Sequence, residues 1–165
     1  MIALTRIRLP ALLLGGAVAG GLATIAMTGV MFAAQRAGLM GEMPPEKVTR
    51  RLLHRLGWGS PRRETQDLLS SLAHLGFGAA AGSLFGALER GLRVPGPPVL
   101  AGMVFGAGVW FVSYVGLLPA LGLMPPPRED RPGRPQAMLL AHLVYGAVLG
   151  ALVGAAPKGK STTSA

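Results

Sequence analysis

Four long apolar runs divide the chain, roughly 9–34, 68–88, 99–123 and 137–156, and the polar residues collect between them. Each run holds about 20 residues or more, enough to cross roughly 30 Å of hydrocarbon at about 1.5 Å per helical residue. None carries an Asp, Glu, Lys or Arg in its interior. The pattern predicts an all-α fold, a four-transmembrane-helix bundle forming a single integral membrane domain over residues 1–165. A fifth segment, 46–57, differs in kind. On a helical wheel Val48, Leu52, Leu53 and Leu56 share one face, and Lys47, Arg50, Arg51, His54 and Arg55 share the other. That is a short basic amphipathic helix, expected to lie in the membrane interface with Trp58 just beyond it. Residues 59–66 read as loop, and the polar tail 157–165 as disordered.

The pattern repeats. Leu72-Ala73-His74-Leu75 recurs as Leu140-Ala141-His142-Leu143, and ten of the sixteen positions from Leu72 to Ala87 are identical 68 residues later. Each copy reads His-xxx-Gly-xxx-Gly-xxx-Gly. The first and third runs end alike, in Gly38-Leu39-Met40 before Pro44-Pro45 and in Gly122-Leu123-Met124 before Pro125-Pro126-Pro127. Together these matches predict a tandem duplication of a two-helix unit. One crossing separates runs 2 and 4, so the repeat is parallel, unlike the inverted repeats of many transporters.

Glycine at every fourth position strips one helical stripe of side chains and lets another backbone approach, which is how helices pack in lipid. Gly78, Gly82 and Gly86 form one such ladder, and Gly146, Gly150 and Gly154 another. Gly16 and Gly20, and Gly102 and Gly106, add shorter stripes to the first and third runs. All four helices thus have a smooth face, more than four helices need to bury. A homo-oligomer, or packing with other membrane-protein subunits, is therefore expected.

Composition sharpens this picture in a few places. Only 14% of the 165 residues are charged, against about a quarter in a soluble domain. The net charge of +9 could suggest nucleic acid, but in a membrane protein basic loops meet anionic lipid head groups instead. Lys47, Arg50, Arg51, Arg55 and Trp58 are the candidate interface residues, and no nucleic-acid partner is expected. The first run is longer than the roughly 7–15-residue core of a signal peptide, so it reads as an uncleaved helix. The chain has no cysteine, which removes disulfides and thiolate metal sites. Ten of the sixteen Lys/Arg lie in the first and third loops. The positive-inside rule favours a cytoplasmic location for those loops, although six of the seven acids share that side.

The chemistry concentrates on His74 and His142, at equal depth on parallel helices, because an ionisable residue inside a span is a functional candidate. Three readings stand. In the first, each neutral imidazole bonds a carbonyl or a hydroxyl of a neighbouring helix, with Ser113, Tyr114, Thr24 and Thr28 as candidates. In the second, the pair are axial ligands of a haem b in an electron carrier, with Arg36 or Arg128 for the propionates. In the third, they titrate on the path of a small ion or solute transporter, although no intramembrane carboxylate accompanies them. Trp110, Phe111 and Tyr114 read as packing bulk, Met27 and Met31 as core filler, and Pro119 as a kink. No Ser/His/Asp set, phosphate-cradling loop or HExxH is present, so an enzyme is not expected and no cofactor is required.

The phrases Ala73-His74-Leu75, Phe77-Gly78, Gly38-Leu39-Met40 and Pro44-Pro45-Glu46-Lys47-Val48-Thr49-Arg50 give the chain a layout that resembles the small bacterial inner-membrane proteins grouped as YagU-like. The resemblance implies a multi-pass protein of a cell inner membrane and carries over neither an activity nor a site residue. The expected role is that of a structural or accessory membrane subunit.

Overall fold

The computed structural model describes residues 3–59, 61–92 and 96–156, with side chains from Leu9 onward except those of residues 90–92. The tail 157–165, Arg93, and the side chains of Arg6, Arg8 and Arg90 lie outside the described residues. What is described is helical: α1 (Ala3–Arg36), α2 (Pro44–Arg55), α3 (Arg63–Leu92), α4 (Pro98–Ala120) and α5 (Arg134–Ala155). α1, α3, α4 and α5 are each long and apolar enough to cross a membrane. Their outer faces are apolar, with Val104 74% and Leu14 68% exposed, a surface that suits hydrocarbon. The chain is a multi-pass membrane protein. α3 begins at Arg63, four residues inside the segment read as loop, and α2 begins on Pro44-Pro45, whose fixed φ and missing N–H suit a first helical turn.

The helix ends explain the repeated Gly-Leu-Met phrase. After α1, Gly38 adopts φ +78°, its N–H bonds the Gln35 carbonyl, and the Leu39 N–H reaches the Ala34 carbonyl at 2.9 Å. After α4, Gly122 adopts φ +61°, and the Gly122 and Leu123 N–H groups bond the Pro119 and Leu118 carbonyls at 2.8 Å each. Both are left-handed glycine caps that satisfy the last carbonyls of a helix. Each drops the following methionine, Met40 or Met124, into the core.

Within the bundle α1 packs on α3, α4 packs on α5, and α1 packs on α5, while α3 and α4 barely touch. The ladders close the first two pairs by equivalent contacts. A Cβ on Gly20 would strike the Gly78 carbonyl and approach the Gly82 Cα to 2.9 Å. A Cβ on Gly102 would strike the Gly146 carbonyl and approach the Gly150 Cα to 2.9 Å. Likewise Gly82 faces the Gly16 carbonyl, and Gly150 faces that of Pro98. Gly86 rests against Leu12 and Gly16, Gly106 against the His142 carbonyl, and Gly154 against the Pro98 ring. All ten ladder glycines are therefore engaged inside the chain.

The two repeats differ in one respect. Gly20 and Gly102 correspond at a spacing of 82, but the caps Gly38 and Gly122 correspond at 84. Between them α4 is not α-helical throughout: it is α-helical over Pro98–Trp110, π-helical over Phe111–Leu117 and α-helical again over Leu118–Ala120. Leu118 N–H bonds the Ser113 carbonyl, five residues back. A π turn holds more residues than an α turn, so it takes up part of the insertion. It lies just before Pro119, whose ring would press on the carbonyl four residues earlier in an α-helix.

Candidate functional site

The packing stripe of α1 changes size along its length: Gly16, Gly20 and Ala23, then Thr24, Met27 and Met31, all buried. Where the stripe is glycine the helices touch, and where it is methionine they splay. The ladder of α3 stops at Gly78 and that of α5 at Gly146, one turn short of His74 and His142. Beyond those points, toward loops 1 and 3, the bundle opens into a cavity of about 330 Å³. It lies beside the gap between α3 and α4: Phe77 and Ala81 come from one flank, Val109 and Leu117 from the other. Pro44, Pro45 and Val48 of α2 cover its loop end.

Both histidines line this chamber. The His142 ring is buried, and its Nδ1 lies 2.7 Å from the Met138 carbonyl of its own helix. The His74 Nε2 is buried with no hydrogen-bond partner among the described residues. The hydroxyls expected as histidine partners go elsewhere. Thr24 donates to the Gly20 carbonyl, Thr28 to that of Thr24 and Ser113 to that of Val109, while Tyr114 donates to Asp130. Each of the first three satisfies a carbonyl one turn back on its own helix, which is closer than any neighbouring imidazole. The chamber floor is held by Tyr145, which donates to the Gly78 carbonyl across the bundle at 2.7 Å.

A buried polar network that the sequence did not disclose closes the loop end. Arg134 and Asp130, with side chains 6% and 2% exposed, pair at 2.6 Å. Tyr114 donates to the other Asp130 oxygen at 2.5 Å, and the remaining Arg134 donors reach the Met40 carbonyl in loop 1. One guanidinium thus ties loop 3, α5 and loop 1 to a tyrosine of the chamber wall. The only sequence signal was the i, i+4 spacing of Asp130 and Arg134 at the head of a span.

The candidate interface residues divide. Arg51 donates to the Leu123 carbonyl at 3.0 Å and Arg55 to that of Leu121, so both cap the C-terminal end of α4, where cations are favoured. Arg50 pairs with Glu42 at 2.9 Å. Burial, with Arg134 and Arg51 nearby, holds Lys47 below the ordinary lysine range. Burial together with Asp67 and Glu42 holds Glu46 above the usual carboxylate range. Trp58, Leu52 and Leu56 are exposed and form the apolar edge of α2. Replacing Arg51 and Arg55 together by alanine is expected to speed amide exchange across Pro44–Arg55 by up to about tenfold and to leave α1 unchanged. Unaltered exchange in α2 would show that the caps do not hold it.

The aromatic cluster is smaller than its sequence. Trp110 and Tyr114, four residues apart, stack with centroids 6.1 Å apart, but Phe111 points outward, exposed, because adjacent helical residues point about 100° apart. Arg36 and Arg128 are exposed and do not line the chamber.

Residues 11–164 match the model described as a family of unknown function, DUF6789. The chain belongs to that family. No curated protein matches it, and no solved structure does. Membership in DUF6789 brings no named activity and neither supports nor removes the YagU-like resemblance. Within this DUF6789 chain the chamber and the network above it are the features with chemistry to offer.

Proposed function

We propose that the protein is a non-catalytic membrane binding protein that takes a neutral, lipid-soluble molecule from the bilayer through the gap between α3 and α4. The observation that carries this reading is a chamber of about 330 Å³ beside two helices that barely touch. That volume falls within the roughly 300–1,000 Å³ of small-molecule sites, which are mostly apolar with a few placed polar groups. Among the described residues lining it there is no Asp, Glu, Lys or Arg. An ion or an anionic head group would lose its hydration there without gaining a counter-charge, which argues against ion transport. As an accessory subunit of a larger complex, the protein would meet partners through its apolar outer face, since the ladder glycines are engaged internally. The resemblance to small bacterial inner-membrane proteins supports placing it in an inner membrane, with anionic lipid beside the exposed edge of α2.

The test is photolabelling in nanodiscs with a diazirine-bearing hydrocarbon, mapped by peptide. Labelling is expected to concentrate on chamber peptides around Ala81 and Met138 over the outward-facing Val104. Ala81→Phe is expected to reduce chamber labelling about tenfold while sparing Val104. Chamber labelling no stronger than that at Val104 would sink the proposal.

A second reading, haem b between His74 and His142, draws on one observation. The His142 Nδ1 is held by a carbonyl, the arrangement that orients ligating histidines. It leaves the propionates without a cation among the lining residues. A Soret band in protein expressed with haem, lost in His74→Ala/His142→Ala, would favour it.

A further inference from the structure

The donors and acceptors around the chamber select one kind of polar head, and this step rests on the binding reading above. Five lining hydroxyls have already given away their protons. Thr24 and Ser70 donate to the Gly20 and Gln66 carbonyls, Ser113 to that of Val109, Tyr114 to Asp130 and Tyr145 to the Gly78 carbonyl. Thr49, at the α2 end, is the remaining lining hydroxyl among the described residues.

The imidazoles are different. A carbonyl can only accept, so the His142 Nδ1 that meets the Met138 oxygen at 2.7 Å carries the proton. Its Nε2 is then a bare acceptor in the neutral ring. The His74 Nε2 is buried and unpartnered among the described residues, and no bond to its own helix fixes its tautomer, so it is free to donate. An unmet polar atom in so apolar a space carries a cost that a guest can remove.

A guest whose polar head meets both rings donates one hydrogen bond to the His142 Nε2 and accepts one from the His74 Nε2. A ketone, quinone, ester or ether oxygen accepts only and leaves the His142 Nε2 bare. An amine or carboxylic acid is charged near neutral pH, and no lining residue balances that charge. A hydroxyl does both; a neutral amide does so too, but its larger polar group costs more to bring into so apolar a chamber. We infer that the chamber binds a lipid-soluble molecule headed by a hydroxyl, alcoholic or phenolic, whose O–H donates to His142 and whose oxygen accepts from His74. Its hydrocarbon part lies along Phe77, Ala81, Val109 and Leu117 toward the gap.

The experiment is competition against the hydrocarbon photolabel in nanodiscs, with competitors given as bilayer mole fractions. Farnesol is set beside farnesyl methyl ether, and 4-nonylphenol beside 4-nonylanisole. At least one hydroxyl compound is expected to protect the chamber peptides at about tenfold lower mole fraction than its ether, the effect of one net hydrogen bond and one rescued polar atom. The pair that shows the difference tells an alcohol site from a phenol site. His74→Leu is expected to abolish the difference and His74→Gln, which keeps a donor, to retain it.

Equal protection by hydroxyl and ether in both pairs would overturn the inference and leave the binding reading standing. That result is expected if a water molecule bridges the rings, because neither head would then reach them. A chamber that takes no photolabel removes both readings. The alcohol–ether comparison is made on the unaltered protein, so its outcome does not depend on the variants folding.

Discussion

Gly82→Leu is expected to abolish the folded, monodisperse protein, while Gly76→Leu, six residues earlier on the same helix, leaves it intact. A Cβ on Gly82 would strike the Gly16 carbonyl and stand 2.9 Å from the Gly20 nitrogen. These are backbone atoms of a packed helix, so relief requires α1 and α3 to part along the whole ladder. Overpacking of this kind costs about 3 kcal/mol or more, and in lipid no hydrophobic drive between helices offsets it. Around Gly76 nothing lies within 4 Å, and leucine there gains up to about 1 kcal/mol of helix propensity. Gly150→Leu repeats the experiment in the second unit, where the obstacles are the carbonyl of Pro98 and the Cα of Val99 at 3.0 Å. Size-exclusion profiles and thermal unfolding in detergent read the outcome. If Gly82→Leu and Gly150→Leu match Gly76→Leu in folded yield, close backbone approach does not hold the pairs together.

Run length and periodicity carry local information, and what they encoded was legible. Four spans followed from apolar length, the duplication from the spacing of His74 and His142, and the packing stripes from glycine at every fourth residue. The chamber was not legible because it depends on neighbours. The growth from Gly20 through Thr24 to Met31 along α1 becomes a widening space only once that stripe is known to face α3 and α5. Arg51 and Arg55 read as the polar side of a wheel because a wheel knows nothing of carbonyls at Leu121 and Leu123, some seventy residues away in sequence. The π turn left a trace, the change in repeat spacing from 82 to 84, but interpreting it needs the equivalence of Gly20 with Gly102, which the contacts supply.

Arg134→Leu is expected to cost about 3–5 kcal/mol, the usual penalty for breaking a buried ion pair by removing one partner. The Asp130 side chain is 2% exposed and would lose its guanidinium partner, left with the Tyr114 hydroxyl and the Arg131 N–H as donors, while the Met40 carbonyl would lose its guanidinium donors. Lysine should not rescue fully. One ammonium cannot reproduce the planar fork that serves Asp130 with one nitrogen and Met40 with two others, and a deficit of roughly 1–2 kcal/mol is expected. The informative comparison is the double variant Arg134→Leu/Asp130→Leu. Removing both charges also removes the cost of holding them out of water, so it should unfold at a higher temperature than Arg134→Leu alone. If the double variant is no better than the single, a stranded Asp130 is not the source of the loss. The network also borders the chamber, because the hydroxyl of Tyr114, which lines it, is anchored through Asp130. Arg134→Leu should therefore weaken protection of the chamber by its preferred competitor even at temperatures where the protein stays folded. The double variant also removes Asp130, the acceptor that Arg134→Leu leaves to Tyr114, so it should recover stability without recovering binding. Recovery of both would place Tyr114 outside the binding event and confine Arg134 to the fold.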